Sequence, residues 1–184
     1  MMDLLNRIRI GHGYDLHRLA VRAPAGEGRV FVLGGVEIEH DRGPMSHSDG
    51  DALFHAVTDG LLGAIGEPDI GQLFPDDDPR HESQDSMVFL EEALKRVRGR
   101  GFQVVNVDAT VVCERPKLSG YKDLIKANLA AGLGVEVGQV NIKGKTHEGV
   151  GAIGRGEAIE VHCVVLLGRV SGLGIGKAEL IPDP

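Results

Sequence analysis

Aromatic residues are scarce, at 4% of the chain with no Trp, so stacking on ring faces cannot dominate whatever this protein recognises. Cysteine is equally sparse. Cys113 and Cys163 each lie inside an apolar run and read as small buried hydrophobes, not as a disulfide framework, which points to a reducing, cytoplasmic compartment. No stretch approaches the roughly 18 uninterrupted apolar residues of a membrane span, and the opening MMDLLNRIRI lacks the apolar core of a signal peptide. Neither secretion nor membrane insertion is expected. Positive charge is in deficit, with 20 Lys and Arg against 27 Asp and Glu and a formal charge of −7. Such a chain repels nucleic-acid phosphate and anionic lipid, so neither nucleic acid nor a membrane surface is an expected partner. The charge of any anionic ligand must be met locally, by metal ions, backbone N–H groups or a few placed basic residues.

What is present describes an ordinary globular domain of 184 residues, 42% hydrophobic and 26% charged, long enough to bury a real core. Glycine is the exception, with 27 residues, about twice the usual share. A short strand is expected over 7–15 and a strand or hairpin arm over 30–38, around Gly34-Gly35. Apolar spacing predicts helices over 51–65, from Asp85 or Ser86 to Gly99, and over 119–133. Further strands are expected over 102–113, 140–145 and 158–167. Strands and helices interleave without strict βαβ repetition, so the fold class is α+β: a single domain, a mixed sheet with helices packed on one face. The domain is placed at 1–168, with 169–184 as a flexible C-terminal extension.

Glycine-rich segments that mimic nucleotide loops fail in detail. Gly144-Lys145-Thr146 has a Walker ending without the glycine five places earlier, and Gly154-Arg155-Gly156 lacks the third glycine of a dinucleotide fingerprint. Asp15-Leu16-His17 is more informative, because residues two apart on a strand share a side and a carboxylate converges there with an imidazole. Asp51, His55 and Asp59 follow i, i+4, i+8 along one helix face. His55 could complete an Asp-His-His set, which leaves zinc an open fourth position; a core histidine beside a surface acidic group is the plainer alternative. His47-Ser48-Asp49 precedes the same helix, where Ser48 or Asp49 could cap it. The loop 66–83 is long and acidic, and loops of that length tend to be functional or mobile. Glu148 could offer oxygen to magnesium and Arg155 a planar partner to a diphosphate, or the two could lie in a turn with a surface ion pair.

Together, G-H-G-Y-D-L-H (11–17), H-S-D-G-D-x-x-x-H-A-x-x-D (47–59), D-I-G (69–71), F-P-D-D-D (74–78), R-P-K-L (115–118), T-H-E (146–148) and G-R-G-E (154–157) resemble, in order and spacing, the 2-C-methyl-D-erythritol 2,4-cyclodiphosphate synthase family of the non-mevalonate isoprenoid pathway. The resemblance runs from about Ile8 to Leu167. It implies cyclisation of 4-diphosphocytidyl-2-C-methyl-D-erythritol 2-phosphate with release of CMP, catalysed by positioning and charge neutralisation and not by a protein nucleophile. It further implies zinc on Asp15, His17 and His55, and a second ion, Mg²⁺ or Mn²⁺, on Glu148 with the bound diphosphate. His47 and Thr146 would stabilise the transition state. Ser48, Asp69, Ile70, Gly71, Phe74, Pro75, Asp76, Asp77 and Asp78 would bind the methylerythritol phosphate part, the stretch 74–78 acting as a mobile lid. Cys113, Pro116, Lys117, Leu118 and Ser119, with Lys145 and Thr146, match the cytidine-binding stretch, and His147, Glu148 and Arg155 adjoin it. The family assembles as homotrimers on a chorismate-mutase-like sheet, with active sites between subunits.

The sequence departs from the family pattern in three places. Ala152 stands where many members carry Phe, Lys145-Thr146-His147 replaces a Thr-rich run, and His162 occupies a position near the trimer axis that is often acidic, which puts an isoprenoid diphosphate site on that axis in doubt. Two rival readings use the same residues: a zinc-dependent phosphodiesterase, which would yield hydrolysis products, and a non-enzymatic module binding nucleotides or isoprenoid diphosphates, which would yield none.

Overall fold

The computed structural model describes residues 7–75 and 82–170. A five-stranded sheet, ordered β4-β1-β7-β5-β6, is built from β1 (Ile8–Val21), β4 (Arg42–Pro44), β5 (Phe102–Val112), β6 (Val140–Lys145) and β7 (Ala158–Arg169). β5 and β6 pair in parallel and the other neighbours are antiparallel, so the sheet is mixed. A two-stranded ribbon of β2 (Val32–Leu33) and β3 (Val36–Glu37) turns at Gly34 and Gly35, both with positive φ. Two consecutive left-handed residues are what a tight hairpin of this hand requires.

β1 runs well past the strand expected over 7–15. Its pairing with β7 continues to Arg18↔Ala158, and Leu19–Val21 then pair with β4; the polar Asp15 and His17 interrupt the apolar alternation and hide this continuation in the sequence. The helix expected over 51–65 is α1 (Ala52–Ala64), capped by Asp51, whose carboxylate accepts from the Leu53 and Phe54 backbone N–H groups. The cap is therefore neither Ser48 nor Asp49. α1 is buried almost all round, since it lies between β1 and β7 on one side and α3 (Met87–Gly99) on the other, and such a helix can be apolar on every face. The loop 66–83 contains a short helix, α2 (Ile70–Leu73). α4 (Lys122–Leu133), preceded by a 3₁₀ turn at Leu118–Gly120, ends at Gly134 in the left-handed conformation. β4 and the four-residue α5 (Gly151–Gly154) were not anticipated, being too short and glycine-rich to show a period. β7 reaches Arg169, inside the expected extension; 171–184 lie outside the described residues.

All the longer helices cover one face of the sheet. Along β7, Val161, Cys163, Val165 and Leu167 are fully buried on that face. Among the described residues nothing covers the opposite face, and Ile10, Tyr14, Leu16 and Val164 are exposed there, Ile10 at 68%. Alternation along paired strands puts these four on one side, where His12 faces Val164 and Tyr14 faces His162 across β1 and β7.

The glycines of G-H-G have a packing role. A Cβ at Gly13 would stand 1.7 Å from the Ala56 carbonyl oxygen, and one at Gly11 would stand 1.8 Å from that of Gly60. Backbone thus approaches backbone, and the close seat of α1 on β1 brings the side chains flanking this contact, Asp15 on the strand and His55 on the helix, to the same spot.

Candidate active site

Asp15 and His17 project from the helix-covered side of β1, and His55 meets them from α1. Asp15 Oδ2 lies 3.3 Å from His17 Nδ1 and 3.2 Å from His55 Nδ1. One donor atom from each residue falls within 4.8 Å of the others, a spacing that one tetrahedral ion with bonds of about 2.0–2.2 Å can bridge. His17 Nε2 is buried and, among the described residues, has no hydrogen-bond partner. Orphaned buried nitrogens are rare in folded proteins; two imidazoles and a carboxylate fit a divalent ion. Burial alone would lower the pKa of His55, but the hydrogen bond and charge of Asp15, with Asp51 and Asp49 behind it, leave it above the ordinary histidine value. Protons and a metal therefore compete for this ring.

Of the three acidic and imidazole groups spaced along α1, only His55 reaches the cluster. Asp51 caps the helix and accepts from the Gly35 N–H at 2.7 Å, tying the hairpin turn to α1; its burial raises its pKa. Asp59 accepts from the Ile70 N–H at 2.8 Å and so anchors α2 beside the site.

A cleft of about 390 Å³ opens over the cluster, with Asp15, His17, His47, Ser48, His55, Ile70, Gly71 and Phe74 in its lining. His47 is held by its backbone, whose carbonyl accepts from Arg29 Nη2 at 3.2 Å and from the Ser83 N–H at 2.8 Å. Asp69 instead caps α2, accepting from the Gln72 N–H at 2.9 Å, and does not line this cleft. Pro75 is exposed at the edge of the described chain, and Asp76, Asp77 and Asp78 lie outside the described residues.

A second cleft, of about 380 Å³, contains Cys113, Pro116, Lys117, Leu118, Ser119, Lys145 and Thr146, together with Glu114, Arg115, Lys122 and Gly144. It shares no residue with the first. Both lie at the same end of the sheet, because Leu16 pairs with Glu160, which also pairs with Val112, itself opposite Lys145. Burial pushes the Cys113 thiol up to about 11 and the Cys163 thiol up to about 12, so neither is a thiolate nucleophile at neutral pH. Thr146 Oγ1 donates to Glu148 Oε1 at 2.7 Å, while the His147 N–H donates to Glu114 at 3.3 Å. Glu148 and His147 are exposed beside this cleft, outside its lining. Arg155 donates through Nε and Nη2 to Glu157 Oε2, at 3.0 and 2.8 Å, an exposed ion pair that does not involve Glu148.

Sequence reasoning missed Ser86, which it treated only as a possible cap of α3, and Phe89, whose ring stands 4.6 Å from that of Phe74. No spacing signal links either to His55, since they arrive from a different helix.

The YgbB family profile matches residues 8–168. A rice protein named 2-C-methyl-D-erythritol 2,4-cyclodiphosphate synthase, chloroplastic, is 48% identical over 161 residues, covering 88% of this chain and 70% of its own. The synthase of that name from Chromobacterium violaceum is 52% identical, covering 88% and 98%. Among solved structures, IspF from Plasmodium falciparum in complex with CDP superposes with a TM-score of 0.78 at 37% identity, covering 90% of this chain and 99% of that one. The bifunctional IspDF from Campylobacter jejuni gives 0.81 at 38% identity, with 88% of this chain and 42% of that one covered. The chain belongs to the YgbB family.

Proposed function

We propose that this chain is a phosphorus–oxygen lyase of isoprenoid precursor synthesis, converting 4-diphosphocytidyl-2-C-methyl-D-erythritol 2-phosphate into 2-C-methyl-D-erythritol 2,4-cyclodiphosphate and CMP. The observation that carries this reading is the convergence of Asp15, His17 and His55 under a cleft that also holds His47 and Ser48. In the reaction, an oxygen of the 2-phosphate forms a bond to the β-phosphorus while the bond from that phosphorus to the bridging oxygen breaks. The electron pair leaves on CMP. Every group is anionic, so catalysis consists of placing the reactants in line and neutralising charge.

A zinc ion on Asp15, His17 and His55 would supply Lewis-acid polarisation of a phosphate oxygen at its open position. Glu148 offers a carboxylate to a second ion, Mg²⁺ or Mn²⁺, that one carboxylate and substrate phosphates can hold together. Engaging Glu148 in that way frees the Thr146 hydroxyl, now donated to it, to turn toward a phosphate. His47 and Ser48 face the methylerythritol phosphate, helped by Ile70, Gly71 and Phe74. The cleft from Cys113 to Ser119, with Lys145, takes the cytidine.

Two clefts without a shared residue, beside a sheet face that the described residues leave uncovered and that exposes Ile10, Tyr14, Leu16 and Val164, support assembly as a homotrimer of the chorismate-mutase-like kind, in which neighbouring copies cover that face. We place the catalytic unit at 1–168 and the protein in the cytoplasm, a location the two buried free thiols favour. Among the described residues, no helix is long and apolar enough to cross a membrane.

The test is CMP release from the phosphorylated substrate compared with CDP-methylerythritol lacking the 2-phosphate. Release is expected only from the former, because the nucleophile belongs to the substrate; equal release from both would remove the cyclisation. His47→Ala and Thr146→Ala should each lower turnover by about 10²-fold, the scale of one preorganised donor, with metal content unchanged. Full turnover in either variant would remove that residue from the mechanism.

A further inference from the structure

Behind His55, on the side away from Asp15, lies a hydrogen-bonded chain that leads from the cleft to Ser86 and Asp49. Ser86 Oγ is 2.8 Å from His55 Nε2, and Ser48 Oγ is 3.2 Å from the same nitrogen. Ser86 is fully buried and arrives from the start of α3, a separate element from β1 and α1. Its hydroxyl donates to Asp49 Oδ1 and its backbone N–H donates to Asp49 Oδ2 at 3.0 Å. Asp49 also accepts the Asp51 N–H at 3.0 Å, and its own N–H donates to the Gln84 carbonyl at 3.1 Å. The carboxylate is thereby clamped between the N-terminus of α1 and the approach to α3.

One proton arrangement of this chain leaves Nδ1 open to a metal. An ionised carboxylate can only accept, so the single Ser86 hydroxyl proton is committed to Asp49. Ser86 Oγ then presents only lone pairs to His55, and Nε2 must carry the ring proton. A metal on Nδ1 takes that nitrogen's lone pair, so the ring's one remaining N–H is the Nε2–H that Ser86 accepts, and Nδ1 is the nitrogen on the Asp15 side, 3.2 Å from Oδ2. Ring nitrogens that bind metals are ordinarily oriented by such a partner on the opposite nitrogen.

We infer that Asp49 and Ser86 are positioning residues that fix His55 as its Nε2–H tautomer and aim Nδ1 at the metal position. The inference rests on the reading of Asp15, His17 and His55 as a divalent-metal site and deepens it. It extends the site to α3: movement of the start of that helix would change metal affinity without touching a ligand. Ser48 is a weaker second acceptor, since it is farther away and its oxygen also receives the Gly50 N–H at 3.2 Å.

Two measurements test this. The first is nitrogen-15 NMR of the histidine rings in the zinc-loaded wild-type protein. The Nε2–H form is expected to predominate; a predominant Nδ1–H form would overturn the inference. The second is the zinc dissociation constant, from competition with a chromogenic chelator, for wild type and Ser86→Ala, with circular dichroism establishing that the variant is folded. Loss of an orienting partner typically weakens metal binding by about 10- to 100-fold, and a weakening in that range is expected. Equal zinc affinity in the folded variant would overturn the positioning role. Wild-type protein that binds no zinc would instead remove the metal site itself, a separate failure.

Discussion

His55→Ala is expected to purify without stoichiometric zinc and to lose turnover by about 10³-fold or more. The substitution removes one of three ligands and the only one contributed by α1, leaving Asp15 and His17 two residues apart on a single strand. Metal polarisation of a phosphoryl oxygen contributes several kcal/mol to transition-state stabilisation, and each 1.36 kcal/mol is a factor of ten in rate. The fold should survive, since Asp15 keeps His17 as a partner at 3.3 Å and the substitution leaves no unpaired buried charge. Elemental analysis of the purified variant, beside its rate of CMP release, decides the matter. Stoichiometric zinc with full activity would remove His55 from the site.

Gly13→Ala is expected to destabilise the fold strongly for a reason unrelated to catalysis. The added methyl carbon meets the Ala56 carbonyl oxygen at 1.7 Å and the Gly60 nitrogen at 2.8 Å, and both belong to the α1 backbone, which cannot yield as a flexible side chain can. Overpacking a core commonly costs about 1–3 kcal/mol and sometimes more. A clash between two backbones belongs at the upper end, against a total stability of roughly 5–15 kcal/mol for a domain. Gly63→Ala, on the same helix with nothing within 4 Å of the new carbon, should instead be neutral or stabilising by up to about 1 kcal/mol. Urea midpoints of the two variants check this pair; equal midpoints would show that α1 is not seated on β1 as described.

The same pair of elements shows what the sequence discloses and what it withholds. Residues 52–64 announce a buried helix because eight of the thirteen positions are apolar, and Asp15 with His17 announces a shared strand face because two is the period of a strand. Neither pattern says that His55 and Asp15 are in contact. That follows from Gly11 and Gly13, whose missing side chains set the approach of helix to strand, and the glycines look in the sequence like turn residues. The full length of β1 was hidden for a related reason: its polar ligands break the apolar alternation that marks a half-buried strand. Ser86 was hidden more thoroughly, since a serine before a helix reads as a cap, and only tertiary packing brings it to His55. The second cleft gathers residues that the resemblance names, yet Arg155 is bound to Glu157, and Thr146 to Glu148 across a tight turn at Glu148, whose φ is positive.

The central claim is that the substrate's own 2-phosphate, and not water, attacks the β-phosphorus. Turnover in water enriched in oxygen-18, with the products followed by mass spectrometry and phosphorus NMR, tests it most directly. Intramolecular attack predicts equal amounts of CMP and a cyclic diphosphate with no label in either; one labelled oxygen in CMP or in a linear phosphorylated product would contradict the account and establish hydrolysis.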